Sequence, residues 1–197
     1  MSSASSEPRR LHLGCGRSIL PGWINLDSFA LPGVDVVADL EECARAPLPF
    51  ADDSVDEMLG RHVLEHVRNV LPLMQELHRV AKPGAHAIFM VPHGASDDAF
   101  EDPTHVRQYF PQSFGYFSQP FYWRADYGYR GDWQPEQLML KVSRARYQAK
   151  SVQEVMADVM SLRNVVLEMT VGLRAVKPAR EPRRELQVQP NIELVFE

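Results

Sequence analysis

A glycine turn and two carboxylates further along the chain are the first residues whose types and spacing could do chemistry. The stretch LHLGCG at 11–16 places Gly14 and Gly16 directly after an apolar run, as in a strand that ends in a tight turn approached closely by a ligand. Asp27 ends INLD and Asp39 ends VDVVAD, each a strand-like run. A carboxylate at the tip of the second strand can accept both hydroxyls of a ribose, and one after the third can accept from an exocyclic amine. The pattern indicates a site for an adenosine.

The segment HVLEH at 62–66 has the H-x-x-E-H spacing of one class of zinc peptidases. We nevertheless predict no metal site, because no third ligand is clearly placed further along the chain. His66 is expected to pack or to form a local hydrogen bond, and His62 to reach the edge of the adenosine site.

Several other classes of enzyme and binding protein are excluded by composition and spacing. A nicotinamide-binding turn needs a third glycine where this chain has Ile19, and no G-x-S-x-G elbow of a serine hydrolase occurs. The net charge is -5 and no long basic run is present, which argues against a nucleic-acid partner. The Arg-rich stretch at 174–184 is interpreted as solvated surface.

The elements that must position these residues alternate between strands and helical stretches. Strand-like runs occur at 10–13, 23–27, 34–40, 54–59 and 85–92, and a helical repeat of apolar residues runs from Val70 to Val80, with Asn69 as its cap. This alternation predicts a mostly parallel sheet, with ligands beyond the carboxyl ends of its strands. Further on, 136–144 is predicted as a strand, 151–173 as one long helix or two, and the final IELVFE as a strand.

The segment from 109 to 133 holds eleven of the 18 aromatic residues in the chain. We interpret 93–136 as an aromatic-rich insertion that closes as a lid over an acceptor with apolar or ring character, although some of the rings are expected to belong to the core.

The motifs LHLGCG, INLD, VADL, LPFADDSVDEM, RHVLEHV and LHRVAKPGAHAIFMVP resemble, in order, those of the class I S-adenosylmethionine-dependent methyltransferases, here a small domain of bacterial type. The resemblance covers residues 10–92. It implies a Rossmann-like three-layer α/β/α sandwich with a mostly parallel seven-stranded sheet whose last strand is antiparallel, a strand for which IELVFE is the candidate. It also implies S-adenosyl-L-methionine as cofactor and methyl transfer to an oxygen or nitrogen of a small-molecule acceptor.

The resemblance assigns roles to individual residues on the cofactor side. Gly14, Cys15 and Gly16 would lie under the methionine part, Asp27 would bind the ribose, and Asp39 with Leu40 would meet the adenine. Gly60 and Arg61 would lie close to the sulfonium and the methionine carboxylate, and His62 at the edge of the site. His12 stands where the family usually has an acidic residue that orients the methionine amine.

On the acceptor side, the family places residues after the fifth strand, where this chain has DPTHVRQYF. Asp102, His105 and Tyr109 are therefore the candidate catalytic residues, with His105 as general base if the acceptor must lose a proton. In the alternative interpretation His105 caps a turn and Tyr109 packs. His93 is a second candidate base.

Two departures from the family pattern leave another function open. His12 replaces the usual acid, and only RSILPG separates Gly16 from the second strand, where the family has a full helix. A protein that binds the cofactor without transferring its methyl group is therefore the alternative hypothesis.

The remaining expectations concern the whole chain. Residues 1–8 are predicted to be a flexible tail and 9–197 one domain. Two cysteines, with no signal peptide and no membrane-length apolar run, favour a cytoplasmic protein without membrane insertion. The oligomeric state is expected to be a monomer or homodimer.

Overall fold

Eight strands form one sheet in the order β3-β2-β1-β4-β5-β7-β6-β8 across residues 7–197, the part of the chain that this computed structural model describes. Most of the predicted tail, residues 1–6, lies outside that part. The strands are β1 (Arg10–Leu13), β2 (Ile24–Asp27), β3 (Val36–Val37), β4 (Val55–Arg61), β5 (Ala81–Pro92), β6 (Trp133–Val142), β7 (Val166–Ala175) and β8 (Asn191–Phe196).

The sheet is mostly parallel, so the Rossmann-like fold class is confirmed. Strands β1 to β5 pair parallel with one another, while β7 pairs antiparallel with both β5 and β6. The structure differs from the expectation in two strands. The final strand, β8, is an eighth strand and pairs parallel with β6, and the antiparallel strand is β7, part of the stretch predicted to be helical.

The α-helices are α1 (Val70–Val80), α2 (Asp98–Glu101), α3 (Arg144–Tyr147) and α4 (Val152–Ser161). Helix α1 follows the prediction, with Asn69 at its N-cap position, although the Asn69 side chain donates to Glu41 and makes no cap hydrogen bond. Short 3-10 helices span Leu40–Ala44, Leu64–His66, Pro111–Phe117, Gln119–Trp123 and Arg184–Leu186. Each helix in the described chain falls short of the length and apolar character that a membrane crossing requires.

The two faces of the sheet differ in burial. Along β5, Ala87, Phe89 and Val91 are buried, while the alternate residues His86 and Ile88 are exposed. Strand β7 alternates in the same way. Between β1 and β2, and again between β2 and β3, the described chain makes turns with no helix. The sheet therefore has one well-covered face, which differs from the expected three-layer sandwich.

The aromatic segment, residues 93–132 and the start of β6, forms part of the covered face. Trp133 donates its indole N–H to the Met74 carbonyl of α1 at 2.9 Å. Six of the eleven rings are buried: Tyr109, Phe114, Phe117, Tyr122, Tyr129 and Trp133. These six rings belong to the core. A lid over the acceptor could therefore be formed only by the exposed rings Phe110, Tyr116, Trp123 and Tyr127.

Candidate functional site

The glycine turn after β1 is held in shape by a carboxylate. Gly14 has φ of +58°, and a Cβ atom built on it would lie 2.6 Å from Cγ2 of Val63. The Gly16 amide donates to Oδ2 of Asp27 at 2.8 Å, and the Phe29 amide donates to Oδ1 at 3.0 Å. Asp27 therefore ties the turn after β1 to the end of β2, and Gly14 leaves its backbone uncovered.

A cavity of about 160 Å³ opens beside this turn, at the carboxyl ends of β1, β2 and β3. Four of the predicted cofactor residues line it: Gly14, Asp27, Asp39 and Leu40. Asp39 accepts from the Glu41 amide through Oδ1 at 2.9 Å and so caps the 3-10 helix Leu40–Ala44. Its second oxygen makes no hydrogen bond within residues 7–197, which leaves an acceptor available at the cavity.

Two predicted cofactor residues lie behind the turn and do not line the cavity. His12 is 1% exposed, and its Nδ1 lies 3.3 Å from Oδ1 of Asn25. Burial lowers the pKa of His12, so the ring is neutral at physiological pH. Cys15 is buried as well, with its amide donating to the Leu26 carbonyl, and burial raises the pKa of its thiol. Both residues support the turn from behind.

The end of β4 brings three more predicted residues to the same edge of the sheet. Gly60 packs so closely that a Cβ atom there would lie 2.7 Å from the Phe89 ring. Arg61 is exposed, and its guanidinium makes no hydrogen bond within the described chain. This cation is therefore available to an anionic group.

His62 contacts carboxylates on both sides and does not line the cavity. Its Nδ1 lies 3.2 Å from Oε1 of Glu65, and its Nε2 lies 2.8 Å from Oε2 of Glu168. These two carboxylates, Glu65 foremost, raise the pKa of His62 to about 9 despite its partial burial. The ring is therefore an imidazolium at neutral pH and faces a separate opening that Glu168 and Lys141 also line.

The predicted catalytic segment folds back onto the residues that follow β4. The Val106 amide donates to the Glu65 carbonyl at 2.9 Å, and the ring centroids of His66 and His105 lie 4.8 Å apart in an edge-to-face arrangement. Asp102 accepts from the amide and the hydroxyl of Thr104, which lowers the pKa of this carboxyl. His66 lines the cavity and His105 packs against His66, whereas Asp102 and His105 themselves do not line it.

The other two acceptor-side candidates belong to the core. Tyr109 is 2% exposed, donates its hydroxyl to the Leu64 carbonyl at 3.2 Å and stacks on Phe114. Burial raises the pKa of Tyr109, so its hydroxyl stays protonated at neutral pH, and its ring borders an opening that Val70 also lines. His93 is buried too, accepts from the Ala95 amide through Nδ1, and has a pKa that burial lowers.

Sequence reasoning missed the residues after β4 that complete the cavity, Val63 and Val67, and placed no role on Glu65. A signal for the first two was available. Strand β4 adjoins β1 in a parallel sheet, so the residues following β4 lie over the glycine turn that follows β1.

Comparisons with known proteins agree with this geometry. Residues 11–89 match the model of a family described as a methyltransferase domain. The chain is similar to the solved structure of a SAM dependent methyltransferase from Archaeoglobus fulgidus, with 17% identity, a TM-score of 0.57 and coverage of 85% of this chain and 86% of that one. It is also similar to the YcgJ protein from Bacillus subtilis, with 15% identity, a TM-score of 0.55 and coverage of 88% and 93%. A third is a SAM dependent methyltransferase from Aquifex aeolicus, with 15% identity, a TM-score of 0.52 and coverage of 86% and 82%.

At these identities the likeness to solved structures shows a shared fold. A search among curated proteins found no match.

Proposed function

We propose that this protein binds S-adenosylmethionine and transfers its methyl group to an oxygen or nitrogen of a small-molecule acceptor, because residues 11–89 match a methyltransferase-domain model and the fold is shared with SAM dependent methyltransferases. The observation that carries the proposal is the cavity beside the glycine turn. It joins the bare backbone of Gly14 to the carboxylates of Asp27 and Asp39.

The residues present fit the cofactor in charge and in shape. A side chain at Gly14 would meet Val63, so this position provides a cradle that only glycine leaves open. Asp27 and Asp39 offer carboxylate oxygens for ribose hydroxyls and for the adenine amine. Arg61, which has no hydrogen-bond partner within the described chain, is the proposed ligand of the methionine carboxylate.

When bound, S-adenosylmethionine supplies a methyl group already activated on a sulfonium. The protein therefore has to align the acceptor and exclude water, and it needs a base only where the acceptor loses a proton. His105 is the proposed acceptor-side residue, because its side chain is 5% exposed, its Nδ1 has no partner within residues 7–197, and its ring adjoins the cavity-lining His66.

The exposed rings of the aromatic segment support an acceptor of ring character. Tyr116 and Tyr127 line a groove of about 430 Å³, and Val70, which also lines it, lies three residues after the cavity-lining Val67. Aromatic rings hold apolar or planar groups by stacking and edge contacts. The negative net charge supports a small-molecule acceptor over a nucleic acid. Because the chain has only two cysteines, neither in a disulfide, we propose that it works in the cytoplasm.

The proposal is tested first by cofactor binding. Calorimetric titration with S-adenosylmethionine and S-adenosylhomocysteine should show one site on the parent protein. Asp39→Asn keeps the cap of the 3-10 helix but can turn an amide N–H toward the adenine amine, and it should weaken binding by about tenfold or more. The matched control is Asp52→Asn. Asp52 is an exposed aspartate just before β4, and its carboxylate pairs with Arg79. This variant should bind the cofactor like the parent.

The second test is turnover. Formation of S-adenosylhomocysteine is measured over a panel of hydroxyl- and amine-bearing acceptors, including aromatic ones. Parent-like binding by Asp39→Asn would contradict the site. Tight binding by the parent with no product over the whole panel would favour a cofactor-binding protein that does not transfer the methyl group.

A further inference from the structure

Glu65 is a buried carboxylate whose oxygens lack hydrogen bonds. Its side chain is 1% exposed, and neither oxygen has a hydrogen-bond partner within residues 7–197. His62 lies 3.2 Å from Oε1, but within the described chain Oε2 has neither a hydrogen-bond donor nor a cation as partner. Burying a carboxylate oxygen without a donor or cation is costly, so the position calls for a further positive partner.

Two histidines present nitrogen atoms to this carboxylate. One ligand atom from each of Glu65, His66 and His105 lies within 4.8 Å of the others. Chain segments 39 residues apart supply the two histidines, and the backbone hydrogen bond from Val106 to Glu65 holds these segments together.

Hydrogen bonds select the nitrogen of His66 that is free to bind. Thr104 Oγ1 lies 2.6 Å from Oδ1 of Asp102, and a carboxylate only accepts, so the hydroxyl donates to it. The hydroxyl oxygen must then accept from Nδ1 of His66, which lies 2.9 Å away. Nδ1 of His66 therefore carries the proton, and the lone pair on Nε2 is free to bind a cation.

Asp102 also lies near the second histidine, on the side of its Nε2. Its Oδ2 lies 3.9 Å from Nε2 of His105, while Nδ1 of His105 has no partner within the described residues. Histidines that bind metals usually direct their other nitrogen to a carboxylate or a similar acceptor. His66 shows this arrangement through Thr104, whereas the 3.9 Å between His105 and Asp102 is an ion-pair distance and not a hydrogen bond.

We propose that Glu65, His66 and His105 bind a divalent transition-metal ion at the edge of the cofactor cavity. Two imidazoles and one carboxylate suit Mn²⁺, Fe²⁺, Co²⁺ or Zn²⁺ better than Mg²⁺ or Ca²⁺, which prefer oxygen ligands throughout. Three protein ligands leave coordination positions open to an exogenous group.

This proposal revises the expectation of no metal at HVLEH. The H-x-x-E-H pattern would use both of its histidines, but both nitrogens of His62 face carboxylates, so neither nitrogen is free to bind the ion. The missing third ligand is His105, which the fold brings to Glu65 and His66.

The catalytic use of the ion, unlike its binding, rests on the function proposed above. An acceptor hydroxyl bound at an open position would become more acidic, because a divalent cation stabilises the oxyanion. The acceptor predicted in this way carries a hydroxyl group.

Binding is tested on the full chain, without a polyhistidine tag and after treatment with a chelator. Calorimetric titration with Mn²⁺ alone should give one ion per chain, and Co²⁺ alone should give visible absorption bands of a coordinated ion. Glu65→Gln and His105→Ala should each weaken Mn²⁺ binding by at least about tenfold. His86→Ala, which removes an exposed histidine from the middle of β5, should bind like the parent.

Asp102→Asn tests the positioning role and leaves all three ligands in place. It should weaken Mn²⁺ binding by about 10–100-fold and shift the Co²⁺ bands, while circular dichroism stays that of the parent. If Glu65→Gln fails to fold, this variant carries the test. No stoichiometric binding by the parent, or parent-like binding by Asp102→Asn and His105→Ala, would overturn the proposal.

Titration of the same proteins with S-adenosylhomocysteine separates the two proposals. Cofactor binding without metal binding would refute the metal site alone. Metal binding without cofactor binding would refute the proposed function and leave the metal site standing.

Discussion

At the scale of single residues, Gly14 matters both for the backbone conformation of the turn and for access of a ligand to the cavity. Its φ of +58° lies in the left-handed region that side chains rarely adopt, and Val63 already occupies the space where a Cβ would project. Gly14 and Val63 both line the cavity, so stability and cofactor binding should respond together when this glycine is replaced.

Gly14→Ala is expected to lower the free energy of unfolding by about 2–4 kcal/mol, since backbone strain adds to overlap with Val63. Cofactor affinity should fall by at least about tenfold. Urea unfolding and calorimetric titration measure the two effects.

Gly84→Ala is the matched control. Gly84 also has a positive φ, +79°, but a Cβ atom there would meet nothing within 4 Å. This variant should lose about 1–2 kcal/mol of stability and keep the parent's cofactor affinity. Equal cofactor affinity in both variants would contradict the role assigned to Gly14.

At the scale of elements, the aromatic segment combines packing with a surface that could meet an acceptor. Tyr122 is buried, donates its hydroxyl to the Tyr116 carbonyl at 2.7 Å and stacks on Tyr129. The Tyr116 and Tyr127 rings are instead 54% and 68% exposed and line the groove beside α1. The segment therefore divides into rings that hold the fold and rings that remain available.

Tyr116→Ala and Tyr127→Ala should change stability by less than about 0.5 kcal/mol, because both side chains are largely solvated. Each should raise the KM of a ring-bearing acceptor several-fold, since about 1 kcal/mol of aromatic contact is lost. Steady-state kinetics with the first acceptor that yields S-adenosylhomocysteine measure this effect.

Tyr122→Ala provides the contrast within the same segment. It should lose about 3–5 kcal/mol of stability, as for other large-to-small changes of a buried ring. Unchanged KM values in both exposed-ring variants would show that the groove does not hold the acceptor.

At the scale of the whole molecule, several histidines have pKa values displaced by burial. Burial lowers the pKa of His12, His78 and His93 below the ordinary value of 6.5. The folded state then binds fewer protons than the unfolded state once the pH falls below about 6.5, so stability decreases with acidification. His62, with its pKa raised to about 9, acts in the other direction: its contribution to stability is fully present below about pH 6.5 and is lost as the pH rises from there through 9.

The free energy of unfolding should therefore fall between pH 6.5 and 5.5, by up to about 1.4 kcal/mol for each buried histidine. His78→Gln retains an N–H donor for the Val176 carbonyl, which His78 contacts at 3.0 Å. This variant should reduce the slope of the free energy of unfolding against pH by up to the equivalent of one bound proton. Urea unfolding at several pH values measures the slopes. An identical slope in parent and variant would show that His78 does not contribute.

Local pattern in the sequence determined much of the fold and of the cofactor side of the site. The glycine turn, Asp27 at the end of β2, Asp39 two residues after β3, and the apolar repeat of α1 each depend on neighbours along the chain, so periodicity and turn chemistry predict them. The roles of these residues in binding stay a proposal.

Only the tertiary structure decided the rest. The 166–175 stretch is a strand because it lies between β5 and β6, although its apolar residues also suit a helix. Tyr109 entered the core, and His105 came to lie against Glu65 and His66, because segments distant in sequence met in three dimensions. Such meetings depend on strand order and packing, and local periodicity carries no information about either.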